Sequence, residues 1–524
     1  MSKFGTPIAW LLSLIKRTKQ QVPGTNNPQA VTIECTEEQK ALELINQGKH
    51  QEAEVIYREM IANGKSSHVI YANLSALCGI QGRPDECIQL LEQALKLGPL
   101  YPYAHFNLGV ALQEKGELKS AINSYKTAIK LKPNYPEAYN NIGNALKDQG
   151  DPIAAIESYR AAIQLKSNYP EAYNNLALTL QGQGDLIGAA EYYRKAIKLQ
   201  PHYPEAHWNF SLTMLLGGDY KNGWEKYEWR TKNSKNAVLP HAIPMCGQWN
   251  NENTLKETLQ LLLVSEQGLG DTLQFMRYAI ALRNEGVSVS LCAQTKLHSL
   301  IQASGIDPSP LTPKQAKKIT EGKWIPLLSV PRLLKVSPRR PIISKPYIKT
   351  TEELTRKWRR ILGATERPVI GINWQGDPKT EIAGLQGRSL ALEAFAPITR
   401  GNPISLVSLQ KGYGSDQLET CTFKDRFVSC QDQISETLDF LETAAIIANC
   451  DLVITSDTSV AHLAGGMGKV TWLLLKKVPE WRWGLEGDTT FWYPSMRLFR
   501  QIEPGNWNEL MKRVAEALEK HLWS

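Results

Sequence analysis

The chain has 524 residues, enough for two to four domains that each bury a core of their own. Its composition, 42% apolar and 21% charged residues, is ordinary for a soluble globular protein. The net charge of +8 favours anionic ligands or membrane surfaces, but the chain lacks the dense lysine and arginine runs of a nucleic-acid-binding protein. None of its eight cysteines form CxxC pairs, so neither a zinc ribbon nor a disulfide framework is expected. A reducing cytoplasm is therefore the expected compartment.

Residues 1–33 form an N-terminal segment that begins MSKFGTPIAWLLSLIKRTKQ. Its apolar run from Pro7 to Ile15 is too short to span a bilayer. No small-residue cleavage site precedes the basic residues that follow, so a secretory signal is not expected. Two interpretations stay open: a short interfacial helix with Trp10 at the headgroups of the inner membrane surface, and a disordered or docking segment.

Residues 34–237 repeat with a 34-residue period in six units. Position 20 of each unit is small, and it holds Ala53, Cys87, Ala121, Ala155, Ala189 and Gly223. Position 24 is large, and it holds Tyr57, Leu91, Tyr125, Tyr159, Tyr193 and Tyr227. A small residue lets two helices approach, and a large one fills the groove made by the next unit. The pattern resembles the tetratricopeptide repeat, which predicts an α-solenoid of helix hairpins with a concave face.

An amide side chain recurs at position 6 of these units. The first unit has Gln39 there, and the next five have Asn73, Asn107, Asn141, Asn175 and Asn209. Because asparagine is a mediocre helix former, packing alone does not require it in each first helix. A column of carboxamides can hold the backbone of an acceptor peptide, each hydrogen bond contributing roughly 0.5–1.5 kcal/mol. The arrangement resembles the asparagine ladder of the O-linked N-acetylglucosamine transferases. The alternative is that these amides serve only contacts between helices.

After a linker at residues 238–256, residues 257–366 open with TLQLLLVSEQGLGDTLQFMRYAIAL. An apolar strand is followed by a turn that carries Gly268 and Gly270, and then by a helix that begins near Asp271. A second strand, VSVSLCA, follows the helix. The order of strand, tight turn, helix and strand is typical of a Rossmann-like unit.

Residues 367–524 repeat the theme with the strand-and-turn segments RPVIGINWQG, ISLVSLQKG and DLVITSDTSVAHLAGGMGKVTWLLL. Two doubly wound halves in sequence predict a GT-B architecture with the active site in the cleft between them. The predicted fold class is therefore an α-solenoid followed by a two-Rossmann-half α/β domain.

The motifs EQGLGDTLQF, GINWQG, GRS, SLQKG, DTSVAHLAGGMGK and WRWGLEGDTTFWYPSMRLFRQ resemble the heptosyltransferase-like branch of the GT-B glycosyltransferases. With the repeats, the chain is similar to bacterial proteins that join tetratricopeptide repeats to such a domain. The resemblance implies a nucleotide-sugar-dependent transferase.

The stretch VITSDTSVAHLAGG contains the most particular candidate site. The first N–H groups of its helix, from Thr458 and Ser459 onward, lack helical partners, and the helix dipole favours an anion there. In the resembling family this turn binds the donor pyrophosphate. Asp457 is expected to cap the helix or to contact a sugar hydroxyl, and His462 lies one turn into the helix. The alternatives are a capped helix without a ligand and a packing role for His462.

Further donor contacts are implied by the same resemblance. Arg388 and Lys411 are the expected cations, and Gln410 is placed near the ribose or base. Gly376 allows close backbone approach, and Trp374 is expected either to stack on substrate or to pack in the core. Surface charges are the alternative for both cations.

The resemblance assigns the catalytic base to Asp271, which takes the proton of the acceptor hydroxyl in an inverting transfer. Glu266 on the same loop is the substitute candidate, and a helix cap is the alternative for Asp271. Because the chain has no DxD motif, we expect no metal and no cofactor beyond the nucleotide sugar, with helix termini and cations holding the leaving group.

Three functions are compatible with the sequence. The first is transfer of a sugar to a protein held by the repeats. The second is transfer to a lipopolysaccharide core or another glycan, with the repeats as a docking platform. The third is a non-catalytic adaptor with a relic nucleotide-sugar site.

Overall fold

The computed structural model describes residues 36–232, 238–249, 260–363, 365–381, 387–401 and 403–523. The chain divides into two compact units, the first ending at His202 and the second beginning at Tyr203. The N-terminal segment lies outside the described residues, so both interpretations of it stay predictions. Among the residues described, no helix combines the length and the apolar character needed to cross a bilayer.

The first unit is built from antiparallel helix pairs, as the 34-residue period predicts. Over residues 36–202 there are five pairs: α1 (Glu37–Asn46) with α2 (His50–Ala62), α3 (His68–Ile80) with α4 (Pro84–Leu97), α5 (Pro102–Glu114) with α6 (Leu118–Leu131), α7 (Pro136–Gln149) with α8 (Pro152–Leu165), and α9 (Pro170–Gly182) with α10 (Leu186–Leu199). Each helix packs against the next one along the chain. The predicted helical solenoid is confirmed for this unit.

Local sequence explains where these helices begin and end. Proline stands at the first position of helices such as α7 and α9, where its missing N–H costs nothing. At the end of α7, Gly150 adopts a left-handed conformation with φ of 90°, which allows the tight turn into α8.

The small and large residues of the repeat lie between the paired helices. Ala121 and Tyr125 on α6 are fully buried. The Tyr125 ring packs so closely on α5 that a Cβ added to Gly109 would lie 2.5 Å from its Cε1 atom. Gly143 on α7 meets Tyr159 in the same way. The close approach of the helices therefore depends on these glycines.

A sixth helix pair, α11 (Pro204–Leu216) and α12 (Tyr220–Tyr227), opens the second unit. The indole Nε1 of Trp224 on α12 donates a hydrogen bond to the carbonyl of Val336, 2.8 Å away. The sequence groups this pair with the repeats, but in the structure it is packed into the α/β part of the chain.

Within the described residues, the second unit holds two parallel sheets. The first has the strand order β1-β4-β2-β3 and contains β1 (Gly247–Gln248), β2 (Gln260–Val264), β3 (Ser288–Cys292) and β4 (Lys323–Pro326). The second has the order β6-β5-β7-β8-β9 and contains β5 (Val369–Asn373), β6 (Ser405–Ser408), β7 (Leu452–Ser456), β8 (Thr471–Leu475) and β9 (Met496–Arg500). Strands β5, β7 and β8 are buried along their whole length, as parallel strands covered on both faces should be.

Helices connect and cover these strands. They are α13 (Leu269–Phe275), α14 (Arg277–Asn284), α15 (His298–Ala303), α16 (Pro313–Ala316), α17 (Val330–Leu333), α18 (Glu352–Ile361), α19 (Pro378–Thr380), α20 (Ala396–Thr399), α21 (Gln431–Glu436), α22 (Phe440–Asn449), α23 (Ser459–Gly466) and α24 (Trp507–Trp523). The core of the second sheet includes Ile372, Ile454 and Leu474 from three strands and Met511 and Leu518 from α24. An α/β part follows the repeats, as predicted.

The tight contact between α5 and α6 gives a first testable prediction. We expect Gly109→Ala to lower the free energy of unfolding of the repeat unit by roughly 1–3 kcal/mol, because the new methyl group would clash with the buried Tyr125 ring. Urea titration followed by far-ultraviolet circular dichroism measures the change.

Gly182→Ala is the matched control. Gly182 also lies in a helix, but a Cβ there would meet no atom within 4 Å. Its substitution should leave stability unchanged or raise it by up to about 1 kcal/mol. Equal stability of the two variants would contradict the close packing described for α5 and α6.

Candidate functional site

Each sheet has one point where the strand order reverses, and the predicted site residues follow the strands at these points. In the first sheet β2 lies between β3 and β4, and in the second β5 lies between β6 and β7. Ligands of open parallel sheets bind outside the carboxyl ends of the strands at such a reversal. The turns after β2, β5 and β7 therefore form the candidate site.

The turn after β7 leads directly into α23. Thr458 is the N-cap residue of α23, and its hydroxyl donates a 2.8 Å hydrogen bond to Oδ1 of Asn373 at the end of β5. Within the described part of the chain, no side chain caps the first turn of α23. The Thr458 hydroxyl thus ties two strand ends together, and the first backbone N–H groups of α23, from Ser459 onward, are left without a side-chain acceptor.

The start of α13 lies against the first turn of α23. A Cβ added to Gly270 would be 2.9 Å from Cδ2 of His462 and 3.6 Å from Cα of Ser459. A glycine at this position is what permits the two helix starts to meet. The turn after β2 and the turn after β7 consequently belong to one site.

His462 is a buried neutral side chain. Its Nδ1 lies 2.9 Å from the Tyr493 hydroxyl, and its ring stacks beside that of Trp483. Burial, and then the positive charges of Arg482 and Arg277, hold the pKa of His462 well below its usual value. A neutral imidazole of this kind is a packing and hydrogen-bonding group rather than a cation for phosphate.

Arg482 is the centre of the site. Its guanidinium pairs with Oδ1 of Asp271 at the start of α13, with Oε1 of Gln274 on the same helix, and with Oε1 of Glu480 at 2.6 Å. The side chain of Arg482 is only 7% exposed, whereas those of Asp271 and Glu480 keep 17% and 16%. A single buried cation therefore joins the loop that follows β8 to the loop that follows β2.

Asp271 has both carboxylate oxygens engaged. Oδ1 pairs with Arg482, and Oδ2 accepts a 2.9 Å hydrogen bond from the backbone N–H of Gly268. The second contact is the helix cap that the sequence allowed as an alternative for this residue. Each carboxylate oxygen has two lone pairs, so the geometry leaves Asp271 able to accept a further proton donor.

A narrow cavity lies beside Arg482, and both acidic and basic side chains line it. Its walls are Arg388, Asp457, Leu475, Lys476, Pro479 and Glu480. Burial, and to a smaller extent the charge of Asp457, raises the pKa of Glu480 to about 7 against the pull of Arg482. Burial likewise raises the pKa of Asp457 and lowers that of Lys476. The charge of this cavity therefore changes near neutral pH.

Arg388 reaches this cavity from the loop after β5. Its Nη1 donates a 3.2 Å hydrogen bond to the carbonyl of Asp457, and its Nε lies 3.6 Å from Oε1 of Glu381. A Cβ added to Gly376 would be 2.5 Å from Nη2 of Arg388. The absence of a side chain at Gly376 thus makes room for the Arg388 guanidinium.

Three other predicted donor contacts lie in structural networks. Trp374 is fully buried, which is the core position that the sequence allowed as an alternative. Oε1 of Gln410 accepts hydrogen bonds from Asn373, Trp374 and Gln375, so this side chain fastens the loop after β5. The ammonium group of Lys411 donates to the Ile434 carbonyl and the Thr437 hydroxyl, and burial lowers its pKa to about 8. The structure does not bring Lys411 to the cavity beside Arg482.

Glu266 forms a fully buried ion pair with Arg230. The guanidinium of Arg230 contacts both carboxylate oxygens, at 2.7 and 3.1 Å, and the Leu328 N–H donates to Glu266 at 3.0 Å. Neither charged side chain is exposed. The geometry favours a structural role for Glu266, linking the segment after α12 to the carboxyl ends of β2 and β4.

Two asparagines of the column make side-chain contacts between helices. Asn73 donates to the Tyr57 hydroxyl at 3.2 Å, and Asn175 donates to Oδ1 of Asn140 at 3.0 Å. Asn73, Asn107 and Asn209 are buried, whereas Asn141 and Asn175 are half-buried. For Asn73 the geometry favours the interhelical alternative. Asn141 and Asn175 keep part of their surface exposed, and their contact with a peptide stays a prediction.

Sequence reasoning missed Arg482, Glu480 and Lys476. They lie in KKVPEWRWG, which follows β8 and contains both charges of the pair between Arg482 and Glu480. The detectable signal was a carboxylate and a guanidinium placed two residues apart among tryptophans, on the loop that follows a buried strand.

Comparisons with known proteins identify the repeats. Models described as "TPR repeat" match residues 111–150 and 148–184, and one described as "Tetratricopeptide repeat" matches residues 170–203. The chain therefore contains tetratricopeptide repeats, which indicate a protein-interaction role.

Individual proteins match only parts of the chain. Protein FlbA from Caulobacter vibrioides is 25% identical over 328 residues, 56% of this chain and 52% of that protein, so the match spans about half of the relative's length. The structure of MamA from Desulfovibrio magneticus is 23% identical over 32% of this chain and 97% of its own, with a TM-score of 0.30. The structure of Pseudomonas aeruginosa pilF is 18% identical over 38% and 90%, with a TM-score of 0.35.

The buried ion pair gives a second prediction. We expect Arg230→Met to lower the free energy of unfolding of the second unit by about 3–5 kcal/mol, because it leaves the charge of Glu266 buried without a partner. Adding Glu266→Gln to this variant should recover part of the loss. Tryptophan fluorescence during urea unfolding provides the measurement.

The exposed pair of Arg356 and Glu352 on α18 is the control. These side chains are 66% and 80% exposed, so Arg356→Met should change stability by less than about 0.5 kcal/mol. If Arg230→Met is as stable as the Arg356→Met control, the ion pair with Arg230 does not stabilise the buried Glu266 carboxylate.

Proposed function

We propose that the protein is a glycosyltransferase that moves a sugar from a nucleotide sugar to a polypeptide held by its repeats. The observation that carries the proposal is the meeting of the first turn of α23 with Arg388 and Arg482 at the reversal points of two parallel sheets. The sequence resemblance to heptosyltransferase-like GT-B enzymes supports the choice of chemistry.

The donor diphosphate lies at the first turn of α23 in this proposal. Backbone N–H groups at a helix start and nearby guanidinium groups attract an anion. Arg388 and Lys476 supply positive charge beside Asp457. Their charges, with that of Arg482, stabilise the nucleoside diphosphate as it leaves, so no metal ion is assigned to the step.

The transfer itself needs one base. Asp271 takes the proton from the acceptor hydroxyl, whose oxygen forms a bond to the anomeric carbon while the bond from that carbon to the diphosphate oxygen breaks. Attack from the face opposite the leaving group inverts the anomeric configuration. Arg482 and the Gly268 N–H hold the Asp271 carboxylate in a fixed orientation for this role.

A non-catalytic adaptor is the second candidate, and one observation favours it. Both oxygens of Asp271 already have partners within the chain, which a purely structural carboxylate would also have. The two candidates differ in whether sugar is transferred.

Donor binding by the full chain gives the third prediction. A nucleotide sugar identified from a panel by its thermal shift should bind Arg388→Ala about 10- to 100-fold more weakly, the loss expected for a charge-assisted hydrogen bond. Arg356→Ala, which changes an exposed arginine on α18, should bind like the original protein. Isothermal titration measures the affinity of both variants. If no nucleotide sugar in the panel binds the protein, the proposed donor site is wrong.

Transfer is tested separately with a labelled donor and cell extract. Label should enter proteins, and Asp271→Asn should slow the reaction by about 10²–10⁴-fold while donor binding is kept. Asn141→Ala with Asn175→Ala should reduce transfer to protein. Label found only in lipid or glycan fractions would overturn the polypeptide acceptor, and binding without any transfer would favour the adaptor.

The fourth prediction concerns pH. Glu480, whose pKa burial raises to about 7, is neutral below that pH and adds a negative charge to the diphosphate site above it. Affinity for the donor should therefore fall as pH rises through 7, by up to about tenfold per unit if binding requires the neutral form. The donor diphosphate keeps its charge over this range, and His462, with its lowered pKa, stays neutral.

Glu480→Gln should flatten this pH profile and keep the affinity seen at low pH. Titrations at about pH 6 and about pH 8 decide the matter. An affinity that rises with pH in the original protein would contradict the assignment of Glu480 to the diphosphate site.

A further inference from the structure

The second repeat departs from the others at the position of the large residue. Its neighbours in the first unit of the structure carry tyrosine there, namely Tyr57, Tyr125, Tyr159 and Tyr193, and the second repeat carries Leu91. All five side chains are fully buried. The second repeat thus lacks one phenol ring that its neighbours possess.

Each of these tyrosines fills a slot between helices and pairs its hydroxyl with an amide. The hydroxyl of Tyr125 donates to Oε1 of Gln113 at 3.0 Å, and that of Tyr193 donates to Gln181 at 3.1 Å. The Tyr57 hydroxyl accepts from Asn73, the position-6 asparagine of the following repeat. The slot is therefore apolar along its walls and carries amides at the end that meets the hydroxyl.

In the second repeat, the positions equivalent to those that meet the tyrosine hydroxyl in other repeats line a cavity, and Leu91 is packed beside it without reaching its wall. Gly79 stands where Gln113 and Gln181 stand in their repeats, and Asn107 is the position-6 asparagine of the following repeat. A cavity that opens to solvent lies between α3, α4 and α5. Its walls include Ser75, Gly79, Ile80, Cys87, Asn107 and Val110.

Asn107 is the unsatisfied group of this cavity. Its side chain is 5% exposed, and neither its amide nitrogen nor its amide oxygen has a hydrogen-bond partner among the described residues. Buried amides are almost always paired, so an amide that lines an open cavity without a partner points to a ligand with a polar group. Asn73, which donates to the Tyr57 hydroxyl, shows what kind of group suits such an amide.

We propose that this cavity binds the phenol ring of a tyrosine side chain from a bound polypeptide, with its hydroxyl at Asn107. The bound polypeptide would provide the phenol ring that the neighbouring repeats have in their own tyrosine and that the second repeat lacks at Leu91. The assignment of the ring to a polypeptide rests on the protein-binding role proposed for the repeats, and it does not depend on sugar transfer.

The remaining groups of the cavity favour a neutral ring. The Ser75 hydroxyl already donates to the Ala72 carbonyl at 2.7 Å, and burial raises the pKa of the Cys87 thiol to about 12, so it stays uncharged. Glu114 lies at the wall as a carboxylate-bearing residue, which opposes a phosphorylated ring. An unmodified phenol is the chemistry that matches these walls.

The fifth prediction tests the cavity in the full-length protein with p-cresol as the probe. We expect saturable binding of p-cresol by isothermal titration and at least tenfold weaker binding of toluene, which has the same shape without the hydroxyl. Leu91→Tyr should fill the cavity from within and abolish p-cresol binding. Asn107→Leu should keep the space and remove the preference of p-cresol over toluene.

N-acetyl-tyrosine amide tests the source of the ring. It should compete with p-cresol, whereas N-acetyl-phenylalanine amide should compete at least tenfold more weakly. The proposal that the cavity binds a phenol ring is wrong if p-cresol does not bind. It is also wrong if p-cresol binds the folded Leu91→Tyr variant as tightly as the original protein. If p-cresol binds and the tyrosine amide does not compete, the assignment to a polypeptide is wrong. Donor binding and sugar transfer are measured separately, so their failure is distinguishable from this one.

Discussion

One buried guanidinium determines the geometry of the candidate site. Arg482 pairs with Asp271 at the start of α13 and with Glu480, which precedes Arg482 by two residues on its own loop. Separating the loops after β2 and β8 would therefore expose a buried charge to solvent or leave it without its partner. The contact of Gly270 with His462 depends on the same closeness. Because the two turns come from different sheets, an anion at α23 would meet groups from both halves of the α/β part.

The repeats depend on a different constraint, which is a ring filling a slot of fixed size. Gly109 and Gly143 lie so close to tyrosine rings that a Cβ at either position would clash, and the hydroxyls tie each ring to an amide. Asn73 of the asparagine column belongs to this system through its hydrogen bond to the Tyr57 hydroxyl. The second repeat has Leu91 in place of a tyrosine, and the Asn107 amide has no hydrogen-bond partner there among the described residues. This departure from the repeat pattern is what makes the cavity a candidate binding site.

The sequence predicts those features that follow from periodicity. The 34-residue spacing locates each helix pair, and turns after apolar runs locate the strands that precede Asp271 and Ser459. The sequence predicts less well which partners a side chain contacts after a strand end has been located. Gln410 and Lys411 follow a strand as donor contacts should, yet their hydrogen bonds go to neighbouring loops. Partners far apart in sequence, such as Arg230 with Glu266, leave no local pattern, because only the fold brings them together.

Hydrogen exchange of backbone amides with and without nucleotide sugar tests the central claim most directly. If the diphosphate lies where the strands and α23 meet, saturating donor should slow exchange at the first turn of α23, from Ser459 onward, and at the start of α13 near Asp271. Both segments should respond to the same donor and at the same concentration. Protection confined to other parts of the chain, or unchanged exchange at both helix starts while the donor is bound, would contradict the account.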